Sequence, residues 1–140
     1  MPGPDEAESQ QKGLKQALDE RIHILFVDGE PASRAINSLA LQGLGYRVTA
    51  VPDKFEALES FSGRPDDFDI VLIGVLPEPA SLELARDLLS IRPAQRIVLC
   101  AERMDSDRAE EARSVGVREV VVLPFSPDEL GEILERARAK

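Results

Sequence analysis

Short apolar runs, separated by amphipathic stretches of helical length, constrain this chain more than any other feature. Ile22-His23-Ile24-Leu25-Phe26-Val27 is the first run, and Asp28-Gly29 stops it. Further runs occupy residues 46–51, 69–75, 97–101 and 120–123. Runs this short, rich in branched side chains and lacking polar alternation, predict strands buried on both faces. Pro31 opens the helix after the first run, with Ala35, Ile36, Leu39, Ala40 and Leu44 on one stripe and Gly45 as its cap. Asp53 caps the second helix, with Glu56 in capping-box spacing and Phe55, Leu58 and Phe61 expected to face inward. A third helix covers residues 82–91 and stops before Pro93. The fourth is acidic, carries a narrow stripe of Ala109, Ala112 and Val115, and ends at Gly116. Ser126-Pro127-Asp128-Glu129 starts the last, whose buried face is Leu130, Ile133, Leu134 and Ala137.

Strand and helix therefore alternate five times, joined by short connectors. That pattern predicts an α/β fold, a flavodoxin-like doubly wound five-stranded parallel sheet of order 2-1-3-4-5 with five helices. Residues 1–20 stand apart: they are polar, and only Leu14, Ala17 and Leu18 make a short apolar stripe. They read as a lead-in or linker, part of it helical, ahead of a domain covering residues 21–140.

Composition excludes several classes. Twenty-six acids against seventeen bases give a net charge of -9, the opposite of the basic footprint that a nucleic-acid binder offers to phosphates. No apolar run approaches the roughly 18 residues that span a bilayer, and the opening residues lack a signal-peptide pattern. A single cysteine, Cys100, rules out an internal disulfide and any multi-thiolate zinc site. A cytoplasmic compartment is expected, with no membrane partner.

In doubly wound sheets the working crevice lies beyond the carboxyl ends of the strands. That rule selects Asp28, Gly29 and Glu30 after the first strand, Gly74 after the third, Ala101 and Glu102 after the fourth, and Leu123 with Pro124 after the fifth. Asp28 and Glu30 admit two readings: oxygen donors to a hard cation, or a helix-entry acid and a solvated first-turn acid. There is no Gly-rich phosphate loop and no Gly-x-Ser-x-Gly elbow. Cys100 and the only histidine, His23, sit near opposite ends of their strands, roughly 16 Å apart along the strand direction, so they form no nucleophilic couple. Cys100 is expected to be a small buried apolar residue, and His23 a strand-end residue with a local partner. No catalytic residue, metal site or cofactor is expected, and no enzymatic activity.

Five pieces in order resemble the receiver domain of bacterial two-component response regulators, closest to the receivers of hybrid sensor kinases. They are Ile24-Leu25-Phe26-Val27-Asp28-Gly29-Glu30-Pro31, Leu44-Gly45-Tyr46-Arg47-Val48-Thr49-Ala50-Val51, Phe68-Asp69-Ile70-Val71-Leu72-Ile73, Leu82-Glu83-Leu84-Ala85-Arg86, and Leu123-Pro124-Phe125-Ser126-Pro127-Asp128-Glu129-Leu130. Receivers of this family accept a phosphoryl group on an aspartate ending the third strand, helped by Mg²⁺ on an acidic pair after the first. A Ser or Thr after the fourth strand and a Lys after the fifth contact the phosphoryl oxygens. The resemblance sets Gly74 at the acceptor position, Gly29 at the second acid, Ala101 at the Ser/Thr position and Leu123 at the Lys position. The aromatic switch position falls on Val120. The loop after the third strand is one residue shorter than usual and lacks the Gly-rich turn before the next helix. Leu123-Pro124 stands where the family has a cis Lys-Pro bond.

What the resemblance implies is a degenerate receiver: a phosphorylation-independent interaction module in a phosphorelay, whose partner is a kinase module, an output domain or a second copy as a homodimer. Its interaction face is expected on the fourth helix, fifth strand and fifth helix, at Asp107, Arg108, Glu111, Val121, Glu129 and Glu132, unless those charges are simply a solvated face. The alternative is a small-ligand-binding regulatory domain that uses the emptied crevice, with Asp28 and Glu30 on its rim.

Overall fold

A computed structural model describes residues 21–77, 79–101, 106–122 and 126–139. The expectations for residues 1–20, Glu102, Leu123 and Pro124 lie outside the described residues. Five strands, β1 (His23–Val27), β2 (Arg47–Val51), β3 (Ile70–Ile73), β4 (Arg96–Ala101) and β5 (Glu119–Val122), alternate with five helices. The helices are α1 (Pro31–Gly43), α2 (Lys54–Gly63), α3 (Ala80–Ile91), α4 (Ser106–Val115) and α5 (Pro127–Ala139). All neighbouring strands pair in parallel, in the order β2-β1-β3-β4-β5. The predicted doubly wound sheet is the observed one.

Side-chain alternation along the strands splits the core in two. Leu25 and Val27 point to the layer formed with Ala57 and Phe61 of α2, Leu84 and Leu88 of α3 and Ala112 of α4. Ile24 and Phe26 point the other way, to Leu41 of α1 and Leu130, Ile133, Leu134 and Ala137 of α5. The strands are apolar on both faces because both faces are covered. Gly45 (φ 97°) and Gly116 (φ 117°) follow α1 and α4 in the left-handed region, where a Cβ would strain the turn. Asp53 accepts from Glu56 N at 2.9 Å and Ser126 Oγ from Glu129 N at 3.2 Å, so both predicted caps form.

Three local expectations need correction. The predicted inner stripe of α1 is largely outside: Ile36 and Leu39 are 66% and 69% exposed, and Leu41 is the fully buried residue of the helix. Phe55 is also exposed, because it lies about 200° round the helix from buried Ala57 at 100° per residue. The third strand is shorter than residues 69–75: Gly74 N and Val75 O turn to bond Val27 O (2.7 Å) and Gly29 N (3.1 Å) in the loop after β1.

At the amino-terminal end of the sheet, His23 ties β1, β2 and the approach to β3 together. Its Nδ1 meets Arg47 Nη2 at 2.8 Å and the Asp67 carbonyl oxygen at 3.2 Å, and its Nε2 lies 2.7 Å from Thr49 Oγ1. Asp69 accepts from His23 N at 2.8 Å, and the Asp67 carboxylate stands 3.2 Å from Nδ1. Burial first, and then the charge of Arg47, hold the imidazole pKa below its ordinary value against the pull of Asp67. The unfolded chain therefore binds this proton first as pH falls. Stability from this group is complete above about pH 6.5, declines below it and levels off under the folded-state pKa. Between about pH 7.5 and about pH 5.5, the melting temperature is expected to fall less in a His23→Gln variant than in the parent. Equal pH slopes would contradict this assignment.

Candidate functional site

The carboxyl ends of β1, β3 and β4 bring Asp28, Gly74 and Ala101 to one end of the sheet. Asp28 is buried, and its side chain is already engaged. One oxygen accepts from Glu30 N at 2.9 Å and the other from Ser33 Oγ at 2.7 Å, while Asn37 Nδ2 donates to Ser33 Oγ at 3.1 Å. Arg34 Nη1 donates to the Asp28 carbonyl at 2.8 Å, which sets a fixed cation beside the buried acid. Glu30 points outward and serves α1 as its N-cap, accepting from Ser33 N at 2.7 Å. Glu30 thus stands just before the helix as its cap rather than within the first turn, and Asp28 sits at the helix entry.

Gly74, just past the end of β3, stands against Asp28. A Cβ built on it would lie 3.0 Å from Val27 O and 3.3 Å from both Cβ and Cγ of Asp28. The 2.7 Å bond from Gly74 N to Val27 O holds the two loops at that approach. Beneath them Cys100 is buried in the core, and its thiol pKa is pushed up to about 12, chiefly by burial and then by Asp28. A thiol so raised has almost no thiolate near neutral pH and is no nucleophile.

Beside Asp28 and Gly74 lies an open groove of about 750 Å³. Gly29, Pro31, Pro52, Phe55, Leu76 and Pro77 form its largely apolar walls, with Glu30, Asp53 and Lys54 at the edges. Lys54 is held by Glu83 at 2.8 Å. Gly74 and Ala101 are not in its lining, so the space is between loops rather than at the strand tips.

The family model for the response regulator receiver domain matches residues 24–135. This chain belongs to that family. Among relatives of the receiver, the transcriptional regulatory protein CseB of Streptomyces coelicolor is 36% identical over 109 residues, covering 77% of this chain and 45% of that protein. The receiver thus spans less than half the length of that relative. A receiver domain protein from Clostridium thermocellum superimposes with a TM-score of 0.79 at 21% identity, covering 84% of this chain and 94% of the other. The chemotaxis protein CheY4 of Vibrio cholerae does so with a TM-score of 0.76 at 25% identity, covering 84% and 98%.

Set against the receiver family's Mg²⁺ requirement, the donor set here does not fit. Each Asp28 oxygen accepts one hydrogen bond within the chain, and Gly29 and Gly74 bring no side-chain oxygen to stand beside it. Among the described residues no group of three or more His, Cys, Asp or Glu could hold a metal ion. Val120 is half-buried against the α2–α4 layer, opposite Leu99 in the sheet.

The expected interaction face is partly a surface. Asp107, Arg108, Glu111, Glu129 and Glu132 are exposed, and Glu111 pairs with Arg86 at 3.2 Å. Val121 departs from that expectation: strand alternation turns it into the core beside Cys100, and it is buried. Ser33 and Arg34, which complete the Asp28 site, were not singled out from the sequence. Their only signal is their place one helical turn after Asp28, on the face that α1 turns inward.

Proposed function

We propose that this receiver is a protein-interaction module of two-component signalling that docks without accepting a phosphoryl group. One observation carries the reading: residue 74, at the tip of β3, has no side-chain oxygen, and its Cβ position is crowded by Val27 and Asp28. The residue after Asp28 supports it, because Gly29 leaves the acid after β1 without a second carboxylate beside it for a hard cation. The switch in such domains needs new charge to create contacts that bias a two-state element, and this crevice has no acceptor for that charge at Gly74. Its partners are then proteins, a kinase module or an output domain, in the cytoplasm, and no group transfer is assigned to it.

The test is incubation with acetyl phosphate and Mg²⁺ followed by intact-mass measurement, with beryllofluoride titration by NMR alongside. The expected result is no phosphoryl adduct and no saturable shift at the Gly29, Gly74 or Ala101 amides. An adduct on this domain would overturn the reading. A second reading, small-ligand binding, is favoured by the apolar groove between Phe55, Leu76 and the three prolines. It requires saturable shifts at Gly29 and Leu76 when apolar compounds are added, with Gly74 unmoved.

A further inference from the structure

We infer that the outward face of α1 is a contact surface for a second copy of this chain, paired as antiparallel helices about a twofold axis between Ala35 and Ile36. The inference names a partner for the docking reading and rests on it. The exposed residues Ala32, Ala35, Ile36, Leu39, Gln42 and Gly43 recur at three- and four-residue spacing, so they form one stripe along the helix. Ile36 and Leu39 leave most of their surface in water, whereas Leu44, just past the helix end, turns towards Gly131 of α5. A contiguous apolar stripe on a soluble domain marks a contact surface.

Charge selects the occupant. The chain carries a net charge of -9, so most approaches of one copy to another meet like charge. The exposed stripe of α1 has no charged side chain at all. Arg34, the helix's one charged residue, donates inward to the Asp28 carbonyl. Two copies can meet on this face without burying an ion. A partner read by charge would find no handle on it.

Shape selects the arrangement. The amino-terminal half of the stripe is small, Ala32 and Ala35, and the carboxyl-terminal half begins with the large Ile36 and Leu39. Antiparallel pairing lays Leu39 of each copy over Ala32 of the other and brings the two Ile36 side chains together near the axis. Such a surface is self-complementary, as an isologous contact must be. The stripe offers six residues where a standard stable interface engages about 20–30 on each side, so the pairing is concentration-dependent rather than permanent.

The test is sedimentation of the full chain from about 1 μM to about 1 mM, in low and high salt. The average mass is expected to rise towards that of a dimer. Salt should leave the pairing unchanged or tighten it, since it screens self-repulsion and no opposite charges are lost. Ile36→Glu and Leu39→Glu should each hold the chain monomeric with unchanged melting, because both side chains are exposed. Ile36→Cys should cross-link to itself on oxidation. Gly43→Cys should not, since its copies are roughly 20 Å apart in this arrangement, and the buried native Cys100 should stay silent. A monomer at every concentration, a dimer that survives Ile36→Glu, a dimer weakened by salt, or cross-linking at residue 43 instead of 36 would each overturn the inference. None of these outcomes bears on the phosphodonor result, so the two readings fail separately.

Discussion

Gly74→Asp should lose about 3 kcal/mol of stability and still take up no phosphoryl group. The added Cβ would meet a backbone oxygen, Val27 O, at 3.0 Å, and that atom cannot swing away as a flexible side-chain end can. The Cβ that bears the new carboxylate would lie 3.3 Å from Asp28 Cγ, so two like charges would be brought close together. Relief would need the loops after β1 and β3 to part, at the expense of the Gly74 N to Val27 O bond. Urea unfolding measures the loss, and intact mass after treatment with acetyl phosphate and Mg²⁺ measures the labelling. A variant as stable as the parent that becomes labelled would show that the crevice had kept room for its aspartate.

Leu41→Ala is expected to cost about 3 kcal/mol, while Ile36→Ala and Leu39→Ala change stability by no more than about 0.5 kcal/mol. Leu41 is fully buried in the layer with Ile24, Phe26 and Leu130, and it is the main apolar anchor of α1. Truncating it leaves a cavity that three elements would have to collapse around. Its exposed neighbours on the same helix leave nothing behind. Chemical denaturation of the three single variants at low protein concentration tests this directly. Similar losses at all three positions would mean that α1 sits in another rotation.

The two expectations differ in how far the sequence reveals them. The strands and their order were legible because burial on both faces demands uninterrupted apolar residues, and because alternation with helices leaves few topologies. The caps at Asp53 and Ser126 were legible because they are local chemistry. The rotation of α1 was not. That helix carries apolar residues on two sides, Ala35, Ile36 and Leu39 on one and Ala40 and Leu41 nearer the other. Periodicity cannot rank the two. What ranks them is a polar contact: Ser33 and Arg34 must face Asp28, and that rotation carries Leu41 into the core and Leu39 out of it. The site was legible in the same uneven way. Gly74, Gly29 and Ala101 were found by their place at strand ends, whereas the partners of Asp28 depend on a rotation the sequence does not state. Val121 was misplaced for a related reason, since a run of three valines in β5 hides which of them points outward.

The bare tip of β3 at Gly74 also bears on how such a domain is governed. An aspartyl phosphate is a timer: it is set by a kinase and runs down by hydrolysis. With glycine at residue 74, a domain that docks as proposed would have no timer to set or to run down. On that reading, the quantity left for the cell to adjust would be abundance, through synthesis and turnover of the protein itself.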